Sequence, residues 1–196
     1  MNENENKIKV ILLGETGVGK SCLLDRYCNN KFNENSEPTL SAYFQLKEKN
    51  HNNKKYYFNL WDTSGKQALR SLTKIFLNES KIIILVYDIT NKNSFLELQF
   101  WLDYILDIFG GNVNLALVGT KNDLGDKRQI KESDAKKFAD TIHAQFAEVN
   151  AKEYGGCSEF LDDVLTNYLK KTYPVKNDDN YYDDYLDDYL DDDLLL

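Results

Sequence analysis

Residues 14–21 read GETGVGKS, directly after the apolar run 7–13 and at the start of a helix-compatible stretch, 19–29. A glycine-rich turn between a buried strand and a helix points successive backbone N–H groups inward. There they can wrap a phosphate at the positive end of the helix dipole. The spacing G-x-x-x-x-G-K-S gives each residue a task. The amides of Glu15, Thr16, Gly17, Val18, Gly19 and Lys20 can cradle a β-phosphate, and Cys22 completes the contact set. The Lys20 ammonium can reach the β- and γ-phosphates, and the Ser21 hydroxyl can coordinate Mg2+. The motif marks a nucleoside triphosphate site and demands an α/β fold around it.

The rest of the chain supplies that fold. Two alternating segments, 42–49 and 54–61, are joined by NHNNKK and read as a hairpin. The continuous apolar runs 81–88 (KIIILVYD) and 113–119 (VNLALVG) suit parallel strands covered on both faces, and 144–150 makes a sixth strand. Helical patterns fall near 67–78, 93–109, 132–141 and 158–171. The expected architecture is a six-stranded, mostly parallel sheet with one antiparallel edge and helices on both faces.

The 196 residues suffice for one domain, here 7–173, flanked by a polar leader 1–6 expected to be disordered. Three scattered cysteines, Cys22, Cys28 and Cys157, lack metal-ligand spacing and read as free thiols in a reducing compartment. No apolar stretch approaches a membrane span, and the amino terminus lacks the apolar core of a signal peptide. The net charge of −8 is local: residues 177–196 hold nine Asp and no Lys or Arg, leaving 23 acids against 24 bases elsewhere. A nearly neutral body forms no basic stripe, which excludes nucleic acid as a partner.

The base is chosen elsewhere. VGTKNDL (118–124) follows a strand and so reaches the carboxyl edge of the sheet beside the phosphate loop. The Asp123 carboxylate can accept from N1–H and the 2-amino group of guanine, donors that adenine lacks in that arrangement. Lys121 can lay its methylene stem along the base, and the Ala151 amide in VNAK can donate to O6. Thr120, Leu124, Asn150 and Lys152 frame these groups.

With these residues the chain resembles the Ras superfamily of small GTPases, and the Rab family most closely, over about 7–172. The resemblance rests on GETGVGKS, Thr39, WDTSG (61–65), TKND, NAK and Rab-like wording in RSL (70–72), VYDITNKNSF and KFNENSEPTLSAYF. It implies a Ras-like P-loop GTPase domain binding GTP or GDP with Mg2+. By the same resemblance Phe32 stacks on the base edge, and Thr39 binds Mg2+ and the γ-phosphate. Asp62 holds Mg2+ through water, and the Gly65 amide senses the γ-phosphate. Residues 32–44 and 64–76 become two switches that meet an exchange factor, an activating protein and effectors. Thr120 stands where Rab and Ras proteins usually carry Asn, Asn150 replaces the usual Ser, and Ser41 replaces a common Gly.

Lys66 is the largest departure, standing where the family has the Gln that orients attacking water. Lysine has three donors and no acceptor, so it can neutralise phosphate charge but cannot align water as an amide does. The expectation is a GTPase with impaired intrinsic hydrolysis. The competing reading is a nucleotide-stabilised scaffold without a productive cycle. Gln67 swinging into place, or a glutamine and arginine brought by an activating partner, are two routes to rescue. An ATP-dependent phosphotransferase is disfavoured by Asp123 and by the lack of a substrate-phosphorylating domain.

Pro174 ends the last helix and an acidic tail follows, 174–196. Its DDYL-DDYL repeat is read as disordered, against the alternative of an acidic amphipathic helix formed on a partner. No cysteine follows Cys157, so no prenyl anchor is expected in this sequence. The tail can bind a basic surface of its own domain or of a partner. The expected state is a cytoplasmic monomer, recruited to endomembranes by proteins and regulating vesicle traffic.

Overall fold

The computed structural model describes residues 6–174. Of the leader 1–6 only residue 6, and of the acidic tail 174–196 only residue 174, fall within that range, so the expectations of disorder for both lie outside the described residues. Strands β1 (Lys7–Leu13), β2 (Tyr43–His51), β3 (Lys54–Asp62), β4 (Ile82–Asp88), β5 (Asn114–Thr120) and β6 (Gln145–Glu148) form one sheet in the order β2-β3-β1-β4-β5-β6. Only β2 runs antiparallel to its neighbour. The expected six-stranded architecture is the observed one.

Side-chain alternation explains why the sheet is covered on both faces. Val10, Leu12, Ile82, Ile84 and Val86 face one core with Leu23, Leu161 and Leu165 from α1 (Lys20–Asn29) and α6 (Gly155–Thr172). Ile11, Leu13, Ile83, Leu85 and Tyr87 face the other with Trp101, Ile105 and Ala135 from α4 (Leu98–Phe109) and α5 (Glu132–Thr141). All seven residues of β4 are buried. Burial pushes the Cys28 thiol up to about 11 and Cys157 up to about 12, so both stay protonated as small hydrophobes.

The hairpin closes at Asn52 and Asn53, both left-handed (φ 49° and 58°), the conformation a two-residue turn of matching twist requires. Several boundaries differ from the periodicity. The stretch 67–78 begins as a short 3-10 turn, Gln67–Leu69, before α2 (Arg70–Leu77). The stretch 93–109 is two helices, α3 (Lys92–Leu96) and α4, broken at Glu97 (φ −68°, ψ −10°). Asn91 caps α3, its side chain accepting from Asn93 N at 3.0 Å. Helix α6 begins at Gly155 rather than 158, because Gly155 and Gly156 join its first turn.

Candidate functional site

The strand–turn–helix at 13–20 is built by close approach. A side chain at Gly14 would meet the Val86 carbonyl oxygen at 2.1 Å, so only glycine lets the loop leave β1 here. Gly19 caps α1 in the left-handed region (φ 96°). Lys20 is buried, and its Nζ donates to the carbonyls of Gly14 (2.8 Å) and Glu15 (3.0 Å), lying across the loop. Burial lowers its ammonium to about 8, against the opposing pull of Asp62 and Glu15.

Three oxygen-bearing side chains meet beside it. Ser21 Oγ donates to Asp62 Oδ2 at 2.6 Å, Thr39 Oγ1 donates to the same oxygen at 3.0 Å, and the two hydroxyls are 2.9 Å apart. The second carboxylate oxygen, Asp62 Oδ1, is buried with no hydrogen-bond partner. Burial raises the Asp62 carboxyl above its ordinary value, with Ser21, Lys20 and Thr39 pulling it back. Hydroxyls converging on a carboxylate with an orphaned oxygen form the hard donor set that Mg2+ takes. These residues fit that ion.

A cavity of about 360 Å³ opens over this cluster. It is lined by Thr16, Gly17, Gly19, Lys20, Ser21 and Cys22 on one side and by Thr120, Lys121, Asp123, Leu124, Ala151 and Lys152 on another. Phe32, Thr39 and Gly65 also line it, with Asn33, Glu34, Ser36, Glu37, Pro38 and Thr63, which the sequence places within 32–44 and WDTSG without assigning them a contact. Thr120 Oγ1 donates to the Val18 carbonyl at 2.6 Å and the Tyr87 carbonyl at 3.0 Å, tying β4, β5 and the phosphate loop together. Lys121, left-handed at φ 61°, reaches Gly17 O at 3.0 Å and Asp88 Oδ2 at 2.6 Å. Lys152 Nζ lies 3.3 Å from Asp123 Oδ2. Arg26 holds the neighbouring loop through the carbonyls of Ala151 (2.7 Å) and Lys152 (2.9 Å).

Other expected residues stand back from the cavity. Val18 packs in the core and contributes its carbonyl. Asn150 bonds to Asn122 and to the Glu153 amide instead of facing the opening. Lys66 is half-buried, its N–H bonded to Ser64 Oγ at 3.3 Å, and Gln67 is exposed; neither lines the cavity.

The Glu15 carboxylate also faces away, to Arg70 on α2. Arg70 reaches Glu97 at 2.7 Å as well and lies 4.3 Å over the Phe100 ring. Sequence reasoning missed this clamp between the phosphate loop, α2 and the helix break. Gly65 completes it, since a side chain there would meet the Glu15 carbonyl carbon and the Thr16 amide at 2.3 Å. Gly65→Ala is therefore expected to destabilise the protein by about 1–3 kcal/mol through overpacking. Thermal unfolding checks this, and an unchanged melting temperature would mean that the approach is not maintained.

The Ras family model matches residues 9–170. Ras-related protein Rab-22A of Canis lupus familiaris is 38% identical over 158 residues, covering 81% of this chain and 81% of that protein. Ras-related protein Rab-21 of Geodia cydonium is 37% identical over 168 residues, covering 86% and 73%. Rab-21 of Homo sapiens is 38% identical over 162 residues, covering 83% and 72%. A match that spans nearly the whole sheet and the elements that build the cavity means that this chain belongs to the Ras family as a Rab-like small GTPase.

Proposed function

We propose that this protein is a guanine-nucleotide switch of Rab type, binding GTP and GDP with Mg2+, hydrolysing GTP slowly, and acting in vesicle traffic. The observation that carries the reading is one cavity bounded by the phosphate loop, by Ser21 and Thr39 with Asp62 bonded behind them, and by Asp123. In this reading the loop amides and Lys20 hold the phosphates, Asp123 accepts from the guanine edge, and Lys121 and Phe32 pack against the base. Asn150 acts from behind, by holding the loop that presents the Ala151 amide. Ser21, Thr39 and Asp62 hold Mg2+, which when bound neutralises charge on the phosphates.

Thr39 and Gly65 lie on separate segments that both reach the cavity, so loss of the γ-phosphate releases 32–44 and 64–76 together. These segments carry exposed Leu40, Phe44, Leu72 and Ile75. Phe44 stacks near Trp61 at 5.0 Å, and Trp61 near Phe76 at 5.6 Å. Apolar surface on the moving segments suits exchange factors, activating proteins and effectors. No helix among the described residues is long and apolar enough to cross a membrane. Recruitment to endomembranes through protein partners follows as part of the proposal.

Hydrolysis is slow in this reading because position 66 offers no acceptor to align the attacking water: lysine only donates, and a charge acting on ground and transition states alike gives no rate gain. With Lys66 and Gln67 both off the cavity wall, the scaffold reading keeps one specific support. Absence of any single-turnover hydrolysis would decide for it.

Competition tests the main reading: GTP and GDP should displace a fluorescent guanine nucleotide, and ATP should not. Equal displacement by ATP would overturn it. Chelating Mg2+ should speed GDP release at least about tenfold, the loss of about 1.4 kcal/mol. A release rate indifferent to chelator would remove the assigned role from Ser21, Thr39 and Asp62.

A further inference from the structure

The acidic segment enters from a fixed place in the fold. The Tyr173 carbonyl accepts from Asn52 Nδ2 at 2.9 Å and lies 2.7 Å from His51 Nε2, while its ring packs on Tyr56 at 4.8 Å. The chain therefore passes the tip of the β2–β3 hairpin, at the sheet end opposite the phosphate loop. Exposed lysines gather there from two elements: Lys54 in the hairpin, and Lys170 and Lys171 in the last turn of α6. Among the described residues the acids nearby are engaged, Glu48 with Lys55 at 3.0 Å and Asp162 with Lys49 at 2.6 Å. Lys170 and Lys171 also offset the helix dipole. Lys54, on another element, has no such role.

We propose that residues 177–196 dock on this basic end of their own domain, against Lys54, Lys170 and Lys171. Charge complementarity selects the surface, and tethering selects the occupant. Asp178 and Asp179 lie four and five residues past Pro174, within reach of all three lysines at about 3.3 Å per residue. A short tether presents them at an effective concentration on the order of mM. Single surface ion pairs contribute only about 0.2–1 kcal/mol, so the contact depends on several acting together and weakens with salt. An acidic segment of another protein would meet the same lysines without the tether.

Amide NMR on the full chain tests it, comparing the natural sequence with a variant in which the nine Asp of 177–196 are replaced by Asn. At low salt the shift differences should concentrate in residues 50–55 and 168–173. They should fall at least fivefold in about 0.5 M salt, where the screening length is only a few Å. The combined substitution Lys54→Glu, Lys170→Glu and Lys171→Glu should remove them to the same extent. The proposal is overturned if those segments do not respond, if the response is equal at high salt, or if it maps to the cavity or to 64–76 instead.

Discussion

Lys66→Gln should raise the single-turnover rate of GTP hydrolysis at least about tenfold, a gain of roughly 1.4 kcal/mol in transition-state stabilisation. A glutamine amide accepts a hydrogen bond from the attacking water while donating to phosphate; an ammonium only donates. Were the Lys66 ammonium to reach the phosphates, it would favour bound GTP equally before and during reaction, so its removal would cost ground-state binding without slowing chemistry. GTP affinity should accordingly stay the same or weaken while the rate rises. The exposed Gln67, one residue on at the head of the 3-10 turn, provides the internal control. Gln67→Ala should leave the natural rate unchanged if no swing brings that side chain to the water. A Lys66→Gln rate equal to the natural one would show that position 66 does not limit hydrolysis.

The second large effect concerns base choice. Asp123→Asn should weaken GTP binding at least about 100-fold, near 2.8 kcal/mol. The substitution removes a charged acceptor facing two donors and sets an amide N–H2 against one of them. Sites built on such paired hydrogen bonds reject a mismatched edge far more strongly than apolar pockets reject a methylene. Xanthosine triphosphate, with a carbonyl where guanine has the 2-amino group, should regain much of the loss because the amide can donate to it. Isothermal titration with GTP and xanthosine triphosphate checks the pattern; equally weak binding of both by the variant would point to loop damage instead.

What the sequence disclosed was local or periodic. The turn 14–21 announces itself because its glycines, Lys20 and Ser21 are contiguous, and the strands because alternate residues such as Ile83 and Ile84 face two different cores. Elements whose cause lies elsewhere in the fold were not legible. The break at Glu97 has no proline or glycine to mark it; its carboxylate turns to Arg70, 27 positions away. The start of α6 hides behind Gly155 and Gly156, which read as loop until the helix packs on α1 and the sheet. Within the site, Asp123 and Lys121 were visible through their spacing. The partner of Glu15 was not, because Arg70 lies 55 positions on and carries no local signal of its own. Thr120 illustrates a middle case. The departure from Asn was plain in the sequence, whereas its two carbonyl partners, Val18 and Tyr87, lie 102 and 33 positions away and leave no local trace.

The most direct measurement is the identity of the nucleotide released when freshly purified protein is denatured and the supernatant is separated by ion-exchange chromatography. About one equivalent of guanine nucleotide is predicted, with a larger GTP fraction than Lys66→Gln releases under the same handling. Adenine nucleotide, or no nucleotide in a protein that also fails to take up GTP, would contradict the account.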